Sequence, residues 1–443
     1  MKKVLALSLY LLFAGMLFPA DEPLVTVSVD TWGLIENNKM AYLDYHYLTS
    51  TLFWSEVVLL DIPTKAKTVL VPTDGTYPFY ISYGFSGNHL AYLAYTGTGS
   101  GSGGGGGGGS TSSLQYKNTA TGATRALSNS TAWKEMVWVG GNIVTWVDYR
   151  YQVPLTIDSV NSEIYIYNLA ISQEQRLTTD HAYQGYPVTD GQRVAWIDYS
   201  ASYGKLFLHT LSTGETREIA PFAAGKNNPR IAGNYVVWED YRNLTTDPKN
   251  VDLYLYDIAA DVSKPICTAP GFQGRLYING TNVVWEDYRN ASPTDSLNAD
   301  VYGYNISADC EFASVVGPGY QAHPTLNGDT LCWFSHETSQ MQLMMQMLDE
   351  TPAIEASKAR KSSRLSLRLS AEGILHIAGA EPGALVSVRV YDLAGRCVTT
   401  SSPCPGNSSG CLTVSLDRRL AKGVYALSVR AGERTYRQKA IAW

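Results

Sequence analysis

The sequence predicts an all-β chain: a seven-bladed β-propeller followed by a small C-terminal β-sandwich. Three observations carry this prediction. The stretch Val236-Val237-Trp238-Glu239-Asp240-Tyr241-Arg242 recurs with its anchoring aromatic at Tyr42, Tyr92, Trp146, Trp196, Trp238, Trp285 and Trp333, at spacings of 42 to 54 residues. A period of that length belongs to propellers and arrays. Gly87, Gly141, Gly191, Gly233, Gly280 and Gly328 stand five positions before their anchors, with Asn37 in the first copy. Finally, no stretch keeps a long helical period, while 30 Tyr residues and many Val and Thr favour strands.

The chain opens with Lys2-Lys3, an apolar run from Val4 to Phe18 and then Pro19-Ala20-Asp21-Glu22. That order reads as a secretory signal peptide over 1–20, removed on export. The run is shorter than the ~20 apolar residues of a spanning helix, and no later segment could span a membrane. The propeller is expected over 21–350. Within each unit an apolar residue stands two positions before the anchor: Met40, Leu90, Val144, Val194, Val236, Val283 and Leu331. A Tyr follows three positions after it in six units, and His336 replaces it in the seventh. Strand alternation then puts large side chains on both faces, as a strand between neighbouring blades requires. The Gly or Asn before the anchor marks a hairpin turn, because these residues enter positive φ most easily.

Before that turn lies a short strand, such as Pro187-Val188, Pro229-Arg230-Ile231 or Pro324-Thr325-Leu326. After the anchor strand come a variable loop, a third strand such as Leu253 to Ile258, and a fourth such as Arg217-Glu218-Ile219. Four antiparallel strands make a blade. The last unit lacks a fourth strand of its own, and Leu24 to Val29 is expected to supply it and close the ring. Six blades is the alternative count. These repeats resemble the TolB-like propeller repeats of secreted bacterial proteins, through the Trp-x-Asp strand and the following Tyr-x-Tyr-Asp-Leu type of strand. The second unit is weakest and carries a glycine-rich insert, Gly103 to Gly109, read as a surface loop.

Residues 351–364 read as a polar linker, and 365–443 as short alternating strands forming the sandwich. Val388-Arg389-Val390-Tyr391-Asp392-Leu393-Ala394-Gly395-Arg396, then Leu420 to Val429 and Arg437-Gln438-Lys439-Ala440-Ile441, resemble the C-terminal sorting domain of the type IX secretion system. The resemblance implies the type IX machinery as a partner, with secretion or display at the outer-membrane surface of a Gram-negative cell. Six Cys suit an oxidising compartment, and Cys404 and Cys411 flank a turn that a disulfide could close. With three Cys in each half, at least one thiol per half is unpaired unless a bridge joins the halves. A net charge of −6, with Lys358 to Arg364 as the only short basic segment, argues against nucleic acid.

Candidate ligand-binding residues lie where blade-to-blade segments repeat an aromatic followed by Gln. They are Tyr183, Gln184 and Tyr186, Phe222, Phe272 and Gln273, and Tyr320 and Gln321, with His181 and His323 as accompanying histidines. Aromatic area and amide hydrogen bonds suit a glycan, a peptide or a surface protein, although the same aromatics could simply pack between blades. Asp158, Glu163, Asp247, Asp252, Asp295 and Asp300 read as solvated loop acids in preference to Ca2+ ligands. Asp148, Asp240 and Asp287, each two residues before an Arg, recur by symmetry and read as structural. No cofactor, metal or catalytic residue is assigned. A ligand-binding, non-enzymatic propeller is the first functional reading, and a surface glycan lyase or hydrolase using the loop face is the second.

Overall fold

The computed structural model describes residues 25–27, 33–47, 53–71, 82–96, 111–152, 161–244, 249–291, 298–317, 319–336 and 341–348 of the repeat region. In the C-terminal region it describes 366–369, 374–378, 385–391, 397–400, 404–405, 412–415, 423–431 and 434–442. The segments expected to be a signal peptide (1–20) and a linker (351–364), the glycine-rich stretch and the segment between Cys404 and Cys411 lie outside the described residues.

The described repeat residues form seven four-stranded antiparallel sheets, and the alternative of six blades is excluded. Blades one to six are continuous in sequence (33–71, 83–126, 134–176, 184–219, 226–267 and 273–315). Blade seven combines Tyr320–Asn327, Thr330–His336 and Met341–Met347 with Val25–Val27. Val25, Thr26 and Val27 pair with Leu343, Gln342 and Met341, so the N-terminal strand closes the ring as expected. The hairpin glycines adopt the left-handed backbone that their spacing implied, with φ of 52° at Gly141 and 57° at Gly280.

The anchor strand lies second in its blade and in blades three to six is buried along nearly all of its length. Trp146, Trp238 and Trp285 are fully covered, and each such ring is worth roughly 1.5–3 kcal/mol of apolar burial. Trp146, Trp196, Trp238 and Trp285 sit opposite Tyr165, Phe207, Tyr254 and Tyr302 of the third strand. In the first three pairs the rings stack at centroid distances of 5.7, 5.8 and 6.0 Å. The packing clusters join neighbours: Val188 and Ile197 of blade four share a core with Ile231 and Trp238 of blade five. The innermost strands approach so closely that a Cβ on Gly84 would lie 2.6 Å from the Val139 nitrogen.

The innermost strand begins earlier than its sequence suggested. It runs Gln184–Thr189, Lys226–Ala232, Gln273–Asn279 and Tyr320–Asn327, so Gln184, Tyr186, Gln273, Tyr320, Gln321 and His323 belong to strands. A β-bulge interrupts the pairing in each, and likewise in Lys134–Gly140. Two residues there oppose one on the partner, which breaks the alternation that identifies a strand.

In the C-terminal region the strands pair as a three-stranded sheet, Ser366–Leu369, Ile374–Ala378 and Leu412–Ser415, and a second, five-stranded sheet centred on Leu385–Tyr391 and Gly423–Ala431. Val386, Val388, Val390 and Val429 are buried.

The closing pairing yields a prediction. A chain starting at residue 29 loses the fourth strand of blade seven, and each lost ladder hydrogen bond costs about 0.5–1.5 kcal/mol. Equilibrium urea unfolding should show a loss of about 2 kcal/mol or more relative to a chain starting at residue 21.

Candidate functional site

The repeated Asp–Arg pair is a clamp inside blades three, five and six. Asp148 accepts from the Trp146 indole at 3.1 Å, the Arg150 amide at 3.0 Å, Arg150 Nε at 3.0 Å and Arg150 Nη2 at 2.7 Å. Asp240 and Asp287 accept the same four bonds from Trp238 and Arg242, and from Trp285 and Arg289. Each guanidinium also lies over the third-strand ring, at 4.1 Å from Tyr165, 3.8 Å from Tyr254 and 3.9 Å from Tyr302. In blades four and seven the indole donates instead to Gln184 and Gln321. The carboxylates are fully buried and their bonding capacity is spent within the blade, as a structural role requires.

Three of the six loop acids are not solvated. Glu163, Asp252 and Asp300 are buried at the start of the third strand. Glu163 pairs with Arg176 and Thr178, Asp252 accepts from Asn243 and Asn250, and Asp300 accepts from Asn290 and the Gly317 amide. Strand three begins at or beside each acid, which pulls it inside. Asp158, Asp247 and Asp295 lie outside the described residues. Among the described residues no group of three or more His, Cys, Asp or Glu side chains comes together to hold a metal ion.

A pocket of about 360 Å³ occupies the propeller axis, and all seven blades contribute to it. Its rim is the bulge residue of blades three to seven: Met136, Tyr186, Asn228, Arg275 and His323. Their φ angles are 54°, 54°, 47°, 49° and 49°, a left-handed conformation that costs non-glycine residues about 1–3 kcal/mol each. Gly33 and Ser82 complete the circle from blades one and two. Two residues deeper stand Trp138, Val188, Arg230 and Tyr277. Trp138 and Tyr277 meet across the axis at 6.4 Å, and Arg230 lies 4.7 Å from the Trp138 ring.

Two glutamates hold the strained bulges. Glu239 of blade five accepts from the Arg275 amide of blade six at 2.9 Å, and from Asn228 Nδ2 at 2.8 Å. Glu286 of blade six accepts from the His323 amide of blade seven at 2.6 Å, from Tyr288 at 3.3 Å and from Arg275 Nη1 at 3.1 Å. Arg275 Nη1 also donates to the Tyr320 hydroxyl. Burial raises the Glu286 carboxyl above the usual carboxylate range against the pull of Arg275. Burial, with the Arg275 charge adding to it, lowers His323 to about 3, so its imidazole is neutral.

The ten candidates therefore separate. Tyr186 and His323 line the pocket, and Tyr320 touches its Arg275. Tyr183 packs on Tyr199 at 5.3 Å and Phe272 on Tyr288 at 5.7 Å, both within their own blades. Gln184, Gln273 and Gln321 are buried, with their amides bonded inside the blade or to the preceding segment. Phe222 is exposed with the Arg242 guanidinium 4.3 Å from its ring, and His181 is exposed. The pocket residues Met136, Trp138, Asn228, Arg230, Arg275 and Tyr277 were not among the candidates. The signal that could have found Met136, Asn228 and Arg275 is a column: two positions after the buried Lys or Gln, the repeat reads Met, Tyr, Asn, Arg and His, and Trp138, Arg230 and Tyr277 stand two positions further on.

Residues 371–442 match the family model described as "Secretion system C-terminal sorting domain". The tail is a secretion-system sorting domain. No curated protein matches the chain in sequence. Among solved structures, an oligogalacturonate lyase in complex with manganese is similar at 13% identity, covering 71% of this chain and 86% of that one with a TM-score of 0.51. An oligogalacturonate lyase from Vibrio parahaemolyticus is similar at 12% identity, covering 74% and 93%, with a TM-score of 0.52. The β-propeller domain of the Trilobed protease from Pyrococcus furiosus is similar at 8% identity, covering 76% and 100%, with a TM-score of 0.54. At these identities the likeness is one of fold. The propeller that the repeats predicted is thus observed, joined in one chain to the sorting tail.

The geometry makes two predictions. Asp240→Ala strands the Arg242 guanidinium and the Trp238 indole, and should cost about 3–5 kcal/mol in urea unfolding. His323 has a folded-state pKa near 3 against an ordinary 6.5, so the unfolded chain binds the extra proton first. Its share of stability is present above about pH 6.5 and is lost as pH falls towards 3. The raised Glu286 pKa acts in the opposite sense, so the readout is the difference between His323→Gln and the parent chain. The variant should lose less stability across that window.

Proposed function

We propose that the chain is an exported binding module that takes a small ligand in its axial pocket and reaches the cell exterior through its sorting tail. The observation that carries this reading is the contrast between two columns of the repeat. The Trp–Asp–Arg column is identical in blades three, five and six and is satisfied internally. The bulge column carries a different side chain in each blade from three to seven, and all of these face one pocket. The pocket's size and its mixture of aromatic wall with few convergent polar groups suit a small ligand. Strained backbone retained at five adjacent positions supports a functional reason for the bulges.

The second reading, a surface lyase or hydrolase, is favoured by one observation: Arg275, Glu286 and His323 form an asymmetric cluster at the rim. Two oligogalacturonate lyases also share the fold. Proton chemistry weighs against it. A general base works best with a pKa near the operating pH, whereas His323 sits far below it and Glu286 already accepts from three residues.

The full mature chain on glycan and peptide arrays, read for binding and for product formation, separates the readings. Binding without product is expected, weakened about tenfold or more by Tyr186→Ala, the order of one lost stacking or hydrogen-bonding group. Product formation abolished by His323→Ala would establish the second reading instead. Deleting residues 371–442 should leave the propeller inside the producing cell, measured by fractionation, because the tail supplies only the route.

A further inference from the structure

We infer that the ligand of the axial pocket carries a carboxylate, received by the Arg230 guanidinium at the pocket floor. This deepens the ligand-binding reading above and rests on it.

Arg230 differs from the other guanidiniums of the propeller interior. Arg150, Arg242, Arg275 and Arg289 each have a carboxylate oxygen within 2.7, 2.7, 3.1 and 2.6 Å. Arg230 has no ion pair among the described residues. Its Nη1 donates to the Pro229 carbonyl at 2.8 Å, while its Nε is buried without an acceptor. Its charged face lies against Trp138. Desolvation pulls it down to about 10, which still leaves it charged at neutral pH. Arg230 is half-buried with its Nε covered, and no carboxylate offsets the desolvation of its charge. A ligand anion entering the pocket would supply the missing partner.

The neighbouring carboxylate cannot take that place. Glu239 attracts Arg230 through space, but its oxygens are held by Asn228, the Arg275 amide and Tyr241. Releasing them would free the strained bulge of blade six. At the rim, Arg275 and Glu286 neutralise each other, and His323 is neutral. Arg230 and Arg275 thus balance Glu239 and Glu286 in number, and Arg230 is the guanidinium of the four-charge set that has no carboxylate in contact, which fits a singly charged carboxylate. A doubly charged phosphate would meet Glu239 and Glu286. A carboxylate also matches the planar fork of a guanidinium in bidentate fashion. A volume of about 360 Å³ limits the buried part to one or two sugar- or amino-acid-sized units. Leu34, Val188 and Leu276 give that part apolar walls.

The test is calorimetric titration of the full mature chain with two matched series. One pairs galacturonate and glucuronate, and their disaccharides, with the neutral hexose counterparts. The other pairs acetylated dipeptides bearing a free C-terminus with their amides. The acid member should bind about tenfold tighter or more than its neutral partner in one series, since hydrogen bonds between charged groups are stronger than neutral ones. The series that responds identifies the source of the carboxylate. Arg230→Met should erase the gap while keeping or raising the thermal midpoint, because it removes a partly desolvated charge that has no carboxylate partner. Arg230→Lys should restore part of the gap. Equal binding of acid and neutral members would overturn the carboxylate assignment while leaving the pocket a ligand site. So would a folded Arg230→Met chain that keeps the gap, or binding of neither series alongside a positive array. An array with no ligand at all removes the underlying reading as well.

Discussion

The structure depends on a buried carboxylate that each strong blade uses in the same way. In blades three, five and six one Asp ties the indole of the anchor strand to the guanidinium two residues on, and the guanidinium covers the third-strand ring. Two strands and the start of a loop are thereby fixed by one side chain. Blades four and seven reach a similar end by another route, with a glutamine from the innermost strand receiving the indole. A buried ion pair is weak evidence of net stability in general. Here its value is geometric, since it sets where the second strand ends and the loop departs.

That constraint makes room for variation elsewhere. With the outer three strands fixed, the innermost strand can carry a bulge and expose one unconstrained side chain to the axis. Glu239 and Glu286 brace the bulges of the following blades. In blade four the amide at the bulge meets only the Met136 sulfur, at 3.2 Å. The polar side of the pocket therefore falls on blades five to seven, and its apolar side on blades three and four. The pocket is asymmetric although the ring that forms it is nearly regular.

How much of this was legible follows from where the signals repeat. The Trp anchors, the hairpin glycines and the missing fourth strand recur at fixed offsets, so blade number, strand order and ring closure could be read directly. The sorting tail was legible from several spaced motifs in order. The inner strands were misplaced because a bulge breaks strand alternation, and because Pro187, Pro229 and Pro324 look like strand starts. The bulge residues before them then look like loop. The site was missed for the opposite reason from the one that exposed the fold: its column has no consensus. Arg230, inside a short apolar strand, reads as an ordinary edge charge until the ring is closed around it. The acids Glu163, Asp252 and Asp300 were placed in solvent because their partners come from the fourth strand and from loop asparagines, which no local pattern predicts.

On the proposed function, the repeat divides into a column that holds the fold and a column that faces the axial pocket. The most direct test is a paired substitution series: Asp148→Ala, Asp240→Ala and Asp287→Ala in one column, and Met136→Ala, Tyr186→Ala, Asn228→Ala and His323→Ala in the other. Each variant is measured for unfolding free energy and for affinity towards the best array ligand. The division predicts large stability losses in the first column, and affinity losses with changes of about 1 kcal/mol or less in stability in the second. Bulge-column variants that unfold the chain while the surviving folded fraction binds normally would contradict it.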